Sequence, residues 1–221
     1  MNKKLIIFDL DGTLIDTSEG IFHSVRYAEE KMGFQPISEQ ELRKFVGPPP
    51  KEVYKQLYGV EEAEALEAVK YHREYGSTKA IFEAKLYYGI DKLLQELKMN
   101  GYLLAVATLK KEEIAKQVLK ECDIYHYFDT ISGMNEAETL TKAMTIKEVW
   151  KRLEYYGDSI LIGDTLYDYE GAKEVGINFI GVTYGFGFQE GKFYQFKVAN
   201  STTDILNHIL TESNKFSTIE M

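Results

Sequence analysis

Two aspartates two residues apart, Asp9 and Asp11, directly follow the apolar run Leu5–Phe8, and Gly12 then allows the chain to turn. Buried strands seldom end in paired acids, because a desolvated carboxylate is costly unless it is paired or bound to a metal. A site that needs a carboxylate nucleophile, a second carboxylate for proton transfer and a cation beside them would account for the pair. Short motifs of this kind also occur in ordinary turns, so the pair alone leaves a catalytic and a structural interpretation open.

Three further segments carry polar residues where chemistry is expected in a repeat of strands and helices. Thr108 ends an apolar run, and its hydroxyl could bind a phosphoryl oxygen or cap the helix that follows. Asp164 follows another apolar run and has the same burial problem as Asp9. Asp168 could join such a site or serve as an acid at a helix N-terminus, while Lys142, near the start of a helix, would ordinarily be a solvated surface residue.

Apolar runs and helical stretches alternate along most of the chain. The runs that we predict to be buried parallel strands are Leu5–Phe8, Tyr102–Thr108, Ser159–Ile162 and Asn178–Thr183. The helices predicted between them span residues 90–99, 111–121, 142–153 and 169–175. This alternation predicts an α/β fold with a doubly wound, Rossmann-like parallel sheet, whose active site should lie at the carboxyl ends of the strands.

The stretch from residue 16 to residue 82 interrupts the alternation, with helical periodicity and no convincing strand. Four helices are predicted there, over residues 18–32, 39–45, 51–58 and 61–75. Ser38 is the expected N-cap of the second helix, and the Gly-Pro-Pro-Pro segment at 47–50 is a stiff turn before the third. We therefore expect an all-helical cap domain, residues 16–82, inserted into an α/β core formed by residues 1–15 and 83–221.

The composition limits the possible partners. The chain has 221 residues and a net charge of −9, which argues against a nucleic-acid polymer, although local cations and a metal could still bind a small anion. The single cysteine, Cys122, excludes an intrachain disulfide and suits a reducing compartment. The apolar run before Asp9 is too short for a signal peptide or a membrane span. We expect a cytoplasmic protein with no membrane partner, either a monomer or a homodimer.

The order of acid pair, hydroxyl, lysine and acid pair along the strand–helix repeat resembles the haloacid dehalogenase superfamily of phosphohydrolases. The similarity is to its branch with a helical cap after the first strand, which includes phosphoglycolate phosphatase-like and 5′-nucleotidase-like enzymes. The resemblance covers nearly the whole chain. The segments that carry it are Phe8–Asp16, Gly47-Pro48-Pro49, Ala105–Thr108, Lys142, Ile162–Asp168 and Gly181–Gly185.

This resemblance implies a hydrolase that cleaves the phosphomonoester of a small phosphorylated metabolite through an aspartyl-phosphate. Asp9 would attack phosphorus, and Asp11 would protonate the leaving oxygen and then take a proton from the hydrolytic water. Lys142 would neutralise charge on Asp9 and on the phosphoryl group. The other groups implied to bind phosphoryl oxygens are the Thr108 hydroxyl and the backbone amides of Leu10 and Leu109.

The resemblance also implies a Mg²⁺ cofactor, which suits a site whose proposed ligands are all oxygen atoms. The implied metal-binding residues are Asp9, Asp11 through its backbone carbonyl, Asp164 and Asp168. The cap would close over the site and exclude water. Arg43 and Lys44, just before the Gly-Pro-Pro-Pro turn, are the cap cations expected to contact substrate, with a solvated helix face as the alternative.

Other reactions are known on this scaffold. A phosphosugar mutase of the β-phosphoglucomutase type and an inorganic pyrophosphatase remain alternatives, although Thr13 favours a hydrolase because mutase relatives usually have valine there. Asp11 argues against a dehalogenase, which normally lacks the second aspartate. A non-catalytic binding protein has no support, because every position of the proposed chemistry is filled. Phosphoglycolate, a nucleoside 5′-monophosphate and a sugar phosphate all fit as substrates.

Overall fold

The apolar runs of the sequence form the centre of a six-stranded sheet in this structure, a computed structural model that describes residues 4–135 and 139–217. The strands are β1 (Leu5–Phe8), β2 (Ile15–Asp16), β3 (Lys85–Leu86), β4 (Leu103–Lys111), β5 (Thr130–Met134), β6 (Ser159–Gly163), β7 (Asn178–Val182) and β8 (Lys197–Ala199). The order within the sheet is β5-β4-β1-β6-β7-β8, and every neighbouring pair is parallel. β1 therefore lies near the middle, with β4 and β6 on either side.

Helices cover both faces of this sheet. The α-helices of the described chain are α1 (Ser18–Met32), α2 (Glu39–Leu42), α3 (Pro50–Tyr58), α4 (Glu62–Thr78), α5 (Ile90–Met99), α6 (Glu112–Glu121), α7 (Lys142–Leu153), α8 (Leu166–Val175) and α9 (Thr202–Ser217), and α5 to α9 pack on the sheet. Ile6 and Phe8 of β1 pack in one apolar cluster with side chains of α5, α6 and α9. Leu5 and Ile7 point to the opposite face and pack with α7 and α8. Because β1 is buried on both faces, its sequence is continuously apolar. The parallel sheet with helices on both faces confirms the predicted doubly wound α/β fold.

The second predicted strand is longer than its sequence pattern indicated. β4 continues past Thr108, and its pairing with β5 shifts register between Ala107 and Lys111. Helix α6 begins only at Glu112, so Thr108 does not cap it. The Thr108 hydroxyl instead accepts a hydrogen bond from the backbone amide of Lys110, 3.1 Å away. This irregularity bends the end of the strand and gives Lys110 a place at the carboxyl edge of the sheet.

The helices α1 to α4 form an apolar cluster of their own. Its buried members are Val25, Ala28, Leu42, Phe45, Val53, Tyr54, Ala65, Ala68 and Val69. Ser38 caps the N-terminus of α2 as predicted. Its side chain accepts a hydrogen bond from the Glu41 amide, and the Glu41 side chain accepts one from the Ser38 amide. The second predicted helix is shorter than expected, because Arg43–Phe45 forms a 3₁₀ turn after α2. No helix among the described residues combines the length and the apolarity that crossing a bilayer requires.

Two adjacent connections join this helical cluster to the sheet. β2 and β3 pair in antiparallel fashion, with Ile15 opposite Leu86 and Asp16 opposite Lys85. Asp16, which we expected to begin the helical stretch, thus belongs to a short strand. Its carboxylate accepts hydrogen bonds from the amide and the hydroxyl of Ser18, at 3.0 and 2.6 Å, so the strand leads directly into α1.

A buried carboxylate fixes the geometry of the helical cluster. Glu29 of α1 is only 2% exposed. One of its oxygens accepts hydrogen bonds from the Ile37 amide and the Tyr58 hydroxyl, at 2.9 and 2.7 Å, and the other accepts one from Arg26 at 2.7 Å. Since a buried carboxylate is stable only when its oxygens are satisfied, this network ties α1 to the loop before α2 and to the end of α3.

We predict that Glu29→Gln lowers the free energy of unfolding by about 2 kcal/mol, because the amide group leaves part of this buried network unsatisfied. Glu30→Gln is the matched control, since Glu30 is the exposed neighbour on the same helix, and its effect should stay within about 0.5 kcal/mol. Urea unfolding followed by circular dichroism measures both. Equal unfolding midpoints for the two variants would show that the network does not stabilise the helical cluster.

Candidate active site

A single ammonium group bridges two carboxylates at the carboxyl edge of the sheet. Asp9 follows β1, Asp168 lies in the first turn of α8, and Lys142 is the first residue of α7. The Lys142 Nζ atom is 2.6 Å from the Asp9 Oδ1 atom and 2.6 Å from the Asp168 Oδ1 atom. It also donates a hydrogen bond to the Ala107 carbonyl oxygen at 2.8 Å. The structure therefore brings together three residues that lie far apart in the sequence.

These charges are buried. Lys142 is 5% exposed, Asp9 7% and Asp168 1%. Burial raises the pKa of Asp9 to about 7; the Lys142 ammonium opposes this rise, and the Asp168 and Asp11 carboxylates add to it. Burial alone would lower the pKa of Lys142, but the carboxylates of Asp168 and Asp9 outweigh it and hold that pKa above its usual value. The lysine is therefore a fixed positive charge beside the Asp9 carboxylate.

Asp164 completes the group from the neighbouring strand. It follows β6, which pairs with β1, and it is fully buried. Its carboxylate accepts hydrogen bonds from the Phe186 amide at 2.8 Å and from the Thr13 hydroxyl at 3.3 Å. Burial, with the Asp168 and Asp9 carboxylates adding to it, raises the pKa of Asp164 well above its usual value. Such a rise indicates a carboxylate with too few positive charges around it.

Asp168 serves two purposes at once. Its Oδ2 atom accepts hydrogen bonds from the amide and the hydroxyl of Thr165, at 3.0 and 2.7 Å, which cap the N-terminus of α8. Its Oδ1 atom faces Lys142. The two interpretations of Asp168 offered by the sequence, a helix-capping acid and a member of a charged site, therefore both describe the structure.

The three carboxylates could hold a cation. Oxygen atoms of Asp9, Asp164 and Asp168 lie within 4.8 Å of one another. When all three are ionised, the single ammonium of Lys142 leaves the group with an excess of negative charge that burial makes costly. An all-oxygen donor set of this kind suits a hard divalent cation. The residues present thus fit such a group by both charge and donor type.

Asp11 faces a different cation, one that we did not single out in the sequence. The Asp11 Oδ1 atom is 3.0 Å from the Nζ atom of Lys110. Lys110 lies in the irregular end of β4, beyond the residue where the predicted strand stopped. The Asp11 carboxylate therefore has a positive partner of its own, in addition to the ammonium of Lys142 that serves the clustered aspartates.

The expected phosphate-binding groups lie around the same edge. Thr108 is buried, and Thr108 and Leu109 both line the cavity above Asp9. Leu10 is fully buried, and its carbonyl oxygen accepts hydrogen bonds from the Leu14 and Ile15 amides at 3.0 and 3.1 Å. The chain thus folds tightly back on itself directly after the Asp9 side chain.

A cavity of about 430 Å³ lies between this edge and the helical cluster. The polar residues on its sheet side include Asp9, Asp11, Thr108, Lys110, Lys142 and Asp168. The side formed by the helical cluster includes Phe45, the Gly47–Pro50 turn, His72, Arg73 and Ile81. Arg43 and Lys44, the cations expected to contact substrate, are exposed and are not part of the cavity wall. The structure places Arg73 there instead.

Comparison with known proteins agrees with this arrangement. A family model described as haloacid dehalogenase-like hydrolase matches residues 6–182. The chain is 35% identical over 187 residues to a 5′-nucleotidase of Pseudomonas aeruginosa, covering 84% of this chain and 85% of that protein. It is 34% identical over 195 residues to the tyrosine-protein kinase PtkA of Mycobacterium tuberculosis, covering 84% of this chain and 64% of the kinase. A crystal structure of a predicted phosphatase from Clostridium acetobutylicum matches with a TM-score of 0.86 and 38% identity, covering 96% of this chain and 100% of that chain.

Close packing around Asp164 gives a prediction for Gly12. Gly12 has a φ of +84°, and a Cβ atom there would lie 2.2 Å from the Asp164 Oδ2 atom. Gly33 has a similar φ of +69°, but a Cβ atom there would meet nothing within 4 Å. Gly33→Ala should therefore cost about 1 kcal/mol of stability through backbone strain alone. Gly12→Ala should cost about 1–3 kcal/mol more, because the methyl group must displace the carboxylate.

Denaturant unfolding of the two alanine variants measures this difference. Because both positions have positive φ, the comparison isolates the contact with Asp164 from the backbone effect. Equal losses of stability in the two variants would contradict the tight packing of Asp164 against the turn after β1.

Proposed function

The chain belongs to the haloacid dehalogenase-like hydrolase family, and from this premise we propose that it hydrolyses the phosphomonoester of a small metabolite through an aspartyl-phosphate. The observation that carries the proposal is the buried group of Asp9, Lys142, Asp164 and Asp168, which opens into a cavity large enough for a metabolite. A phosphatase needs a nucleophile and a fixed positive charge, which Asp9 and Lys142 would supply, and an anion-binding edge, which Thr108 and Leu109 would form beside them.

In the proposed reaction, Asp9 is the nucleophile. Lys142 binds the Asp9 Oδ1 atom, which leaves the Oδ2 atom to attack phosphorus. A bond forms between that oxygen and phosphorus while the ester bond to the leaving oxygen breaks. The attack of one anion on another is opposed by charge repulsion, and the Lys142 ammonium offsets it in both the ground state and the transition state.

Asp11 moves the protons in this proposal. It donates a proton to the leaving oxygen as the ester bond breaks, and it later accepts a proton from the water that attacks the phosphorylated Asp9. Hydrolysis releases inorganic phosphate and restores both carboxyl groups. The contact with Lys110, at 3.0 Å, holds the Asp11 side chain at the cavity wall. The proton that Asp11 donates must be on its carboxyl group before the ester bond breaks.

Mg²⁺ is the proposed cofactor. Asp9, Asp164 and the backbone carbonyl of Asp11 would hold it, and Asp168 would orient its water ligands. When bound, Mg²⁺ supplies positive charge that stabilises phosphoryl oxygens in the transition state. The excess negative charge of the three buried carboxylates and their oxygen-only donor set support this assignment.

We further propose that residues 16–82 act as a cap that closes over the cavity on the core formed by residues 1–15 and 83–221. The β2–β3 ribbon is the natural hinge, because both chain connections between the two parts pass through it. The separate apolar cluster of α1 to α4 supports movement of the cap as a unit. Closure would exclude water while Asp9 attacks, and opening would release the products.

The substrate belongs to the class of small phosphomonoesters, with phosphoglycolate and nucleoside 5′-monophosphates as candidates. The name of the Pseudomonas relative favours a nucleoside 5′-monophosphate. A mutase or a pyrophosphatase on the same scaffold remains a competing reaction. Inorganic phosphate released from a panel of phosphoglycolate, nucleoside monophosphates, sugar phosphates and pyrophosphate distinguishes these activities, together with an assay for isomerised sugar phosphate.

Asp9→Asn should reduce phosphate release at least about a thousandfold, because it removes the nucleophile with almost no change in side-chain shape. Asp158→Asn is the control, since Asp158 is exposed and lies before β6 rather than after it. The best substrate of the panel is used for both variants, and circular dichroism confirms that each is folded. Full activity of Asp9→Asn would rule out the aspartyl-phosphate mechanism.

Asp164→Asn should raise the Mg²⁺ concentration for half-maximal activity about tenfold or more, because it removes one of the charges that hold the cation. Calorimetric titration with Mg²⁺ in the absence of substrate gives a second readout that does not depend on turnover. Asp158→Asn again serves as control. Unchanged titration curves for Asp164→Asn, in both measurements, would remove Asp164 from the metal site.

A further inference from the structure

A histidine of the helical cluster faces the cavity from the side opposite Asp9. His72 lies in α4 and lines the cavity together with Phe45. Its ring stacks on Phe45 at an interplanar angle of 26° and meets Tyr54 edge to face, with both ring centres 6.1 Å away. Tyr54 and Phe45 also contact one another at 4.8 Å. Three mutually packed rings therefore fix the position and the plane of the imidazole.

Tyr54 determines which imidazole nitrogen carries the proton. The Tyr54 hydroxyl lies 3.3 Å from the His72 Nδ1 atom, and the tyrosine is fully buried. This ring nitrogen is the one acceptor that the described structure offers to the buried hydroxyl. Since a buried hydroxyl needs an acceptor for its hydrogen, the hydroxyl donates to Nδ1. The proton of the neutral imidazole is then on the Nε2 atom.

The His72 Nε2–H group has no partner within the described part of the chain. His72 lines the cavity, so a ligand bound there can approach its imidazole. Burial, with Lys110 and Arg73 adding to it, lowers the pKa of His72 to about 3. The imidazole is therefore an uncharged donor over the whole physiological pH range.

Positive charge at this end of the cavity is already engaged. The Lys110 ammonium contacts Asp11, and Arg73 has an interaction of its own within the chain. The apolar residues that line this cavity include Phe45, which stacks on His72, and Ile21 and Ile81. A cavity of about 430 Å³ with such walls suits a ring-bearing ligand, and it is far larger than a two-carbon acid requires.

We propose that His72 determines leaving-group specificity: its Nε2–H group donates a hydrogen bond to an uncharged acceptor on a ring-bearing leaving group, which packs against Phe45. This inference rests on the proposed phosphatase activity, and it deepens that proposal by naming the substrate class. Nucleoside 5′-monophosphates belong to the class, since their bases carry carbonyl oxygens or ring nitrogens as acceptors. Phosphoglycolate does not, because its leaving group is small and anionic.

The test compares two phosphate esters that both carry a ring. The first is a nucleoside 5′-monophosphate. It is chosen from the adenosine, guanosine, cytidine and uridine esters as the one that wild type hydrolyses with the highest kcat/KM. The second is phenyl phosphate, whose leaving group has a ring without an acceptor on it. His72→Phe, which keeps a ring but removes the donor, should lower the ratio of the two kcat/KM values about tenfold. The loss should lie mainly in a raised KM for the nucleotide.

Two further variants separate hydrogen bonding from packing. His72→Gln carries a donor near the position of the Nε2 atom and should recover most of the specificity ratio. Tyr54→Phe removes the hydroxyl that selects the tautomer, and it should lower the ratio by less than His72→Phe. His126→Phe, at an exposed histidine of the sheet domain, is the control and should leave the ratio unchanged.

Three outcomes would overturn the proposal. Unchanged kcat/KM values for both esters in His72→Phe would show that His72 does not contact the leaving group. An equal loss of kcat/KM for both esters, which leaves the ratio unchanged, would show that His72 acts only through the packing of the helical cluster. A tenfold preference of wild type for phosphoglycolate over every nucleotide would exclude the ring-bearing class.

A measurement without turnover keeps this inference separate from the proposed activity. The ¹⁵N spectrum of the histidines in wild type should show His72 as the Nε2–H tautomer, and the best nucleotide should shift that signal on binding. If wild type releases phosphate from no ester, the proposed activity fails, while a nucleotide-dependent shift would still support His72 as a binding donor. The absence of any shift at saturating nucleotide would contradict it.

Discussion

The ion pairs that Lys142 makes with Asp9 and Asp168 are the interaction on which the rest of the site depends. They join the end of β1 to the N-termini of α7 and α8, and each Nζ–O distance is 2.6 Å. The lysine side chain packs closely against Gly171 of α8, where a Cβ atom would lie 2.5 Å from the Lys142 Cγ atom. Breaking a buried pair by removing one partner is strongly destabilising. The Lys142 ammonium therefore holds α7 and α8 to the end of β1. In the proposed reaction, the same charge binds the phosphoryl group.

The same lysine cannot satisfy all the carboxylates around it. Asp164 has hydrogen-bond donors, yet burial and its acidic neighbours still raise its pKa well above the usual value. A protein that only needed stability would replace such a group with apolar side chains, which pack at lower cost. The surplus of negative charge supports the proposed cation site, and that site would explain why strands rich in apolar residues end in acids.

The sequence was most informative where residues are buried on both sides. β1, β6 and β7 are continuous apolar runs, and α5 and α7 begin and end at the predicted residues. The edge strands β5 and β8 were not predicted, because edge strands are short and only partly apolar. The final helix α9 was not predicted either. Lys110 was missed for a related reason, since the irregular end of β4 has no signal in local periodicity. Arg43 and Lys44 precede the proline-rich turn, but in the tight turn that they form it is Phe45 that faces inward.

The chemistry of the cavity changes from one side to the other. The sheet side holds the fixed charges of Asp9, Lys142 and Lys110, which suit a phosphoryl group whatever it is attached to. The opposite side presents aromatic and aliphatic surface, the imidazole of His72, and Arg73, which has an interaction of its own within the chain. A further charge there would strengthen binding of every phosphate ester alike, because charge acts over long distances in a buried site. A neutral donor acts only at hydrogen-bond distance and direction, so it can distinguish one leaving group from another. Under the proposed function, the neutral imidazole of His72 therefore gives the helical side its selectivity, while the sheet side supplies the reacting groups.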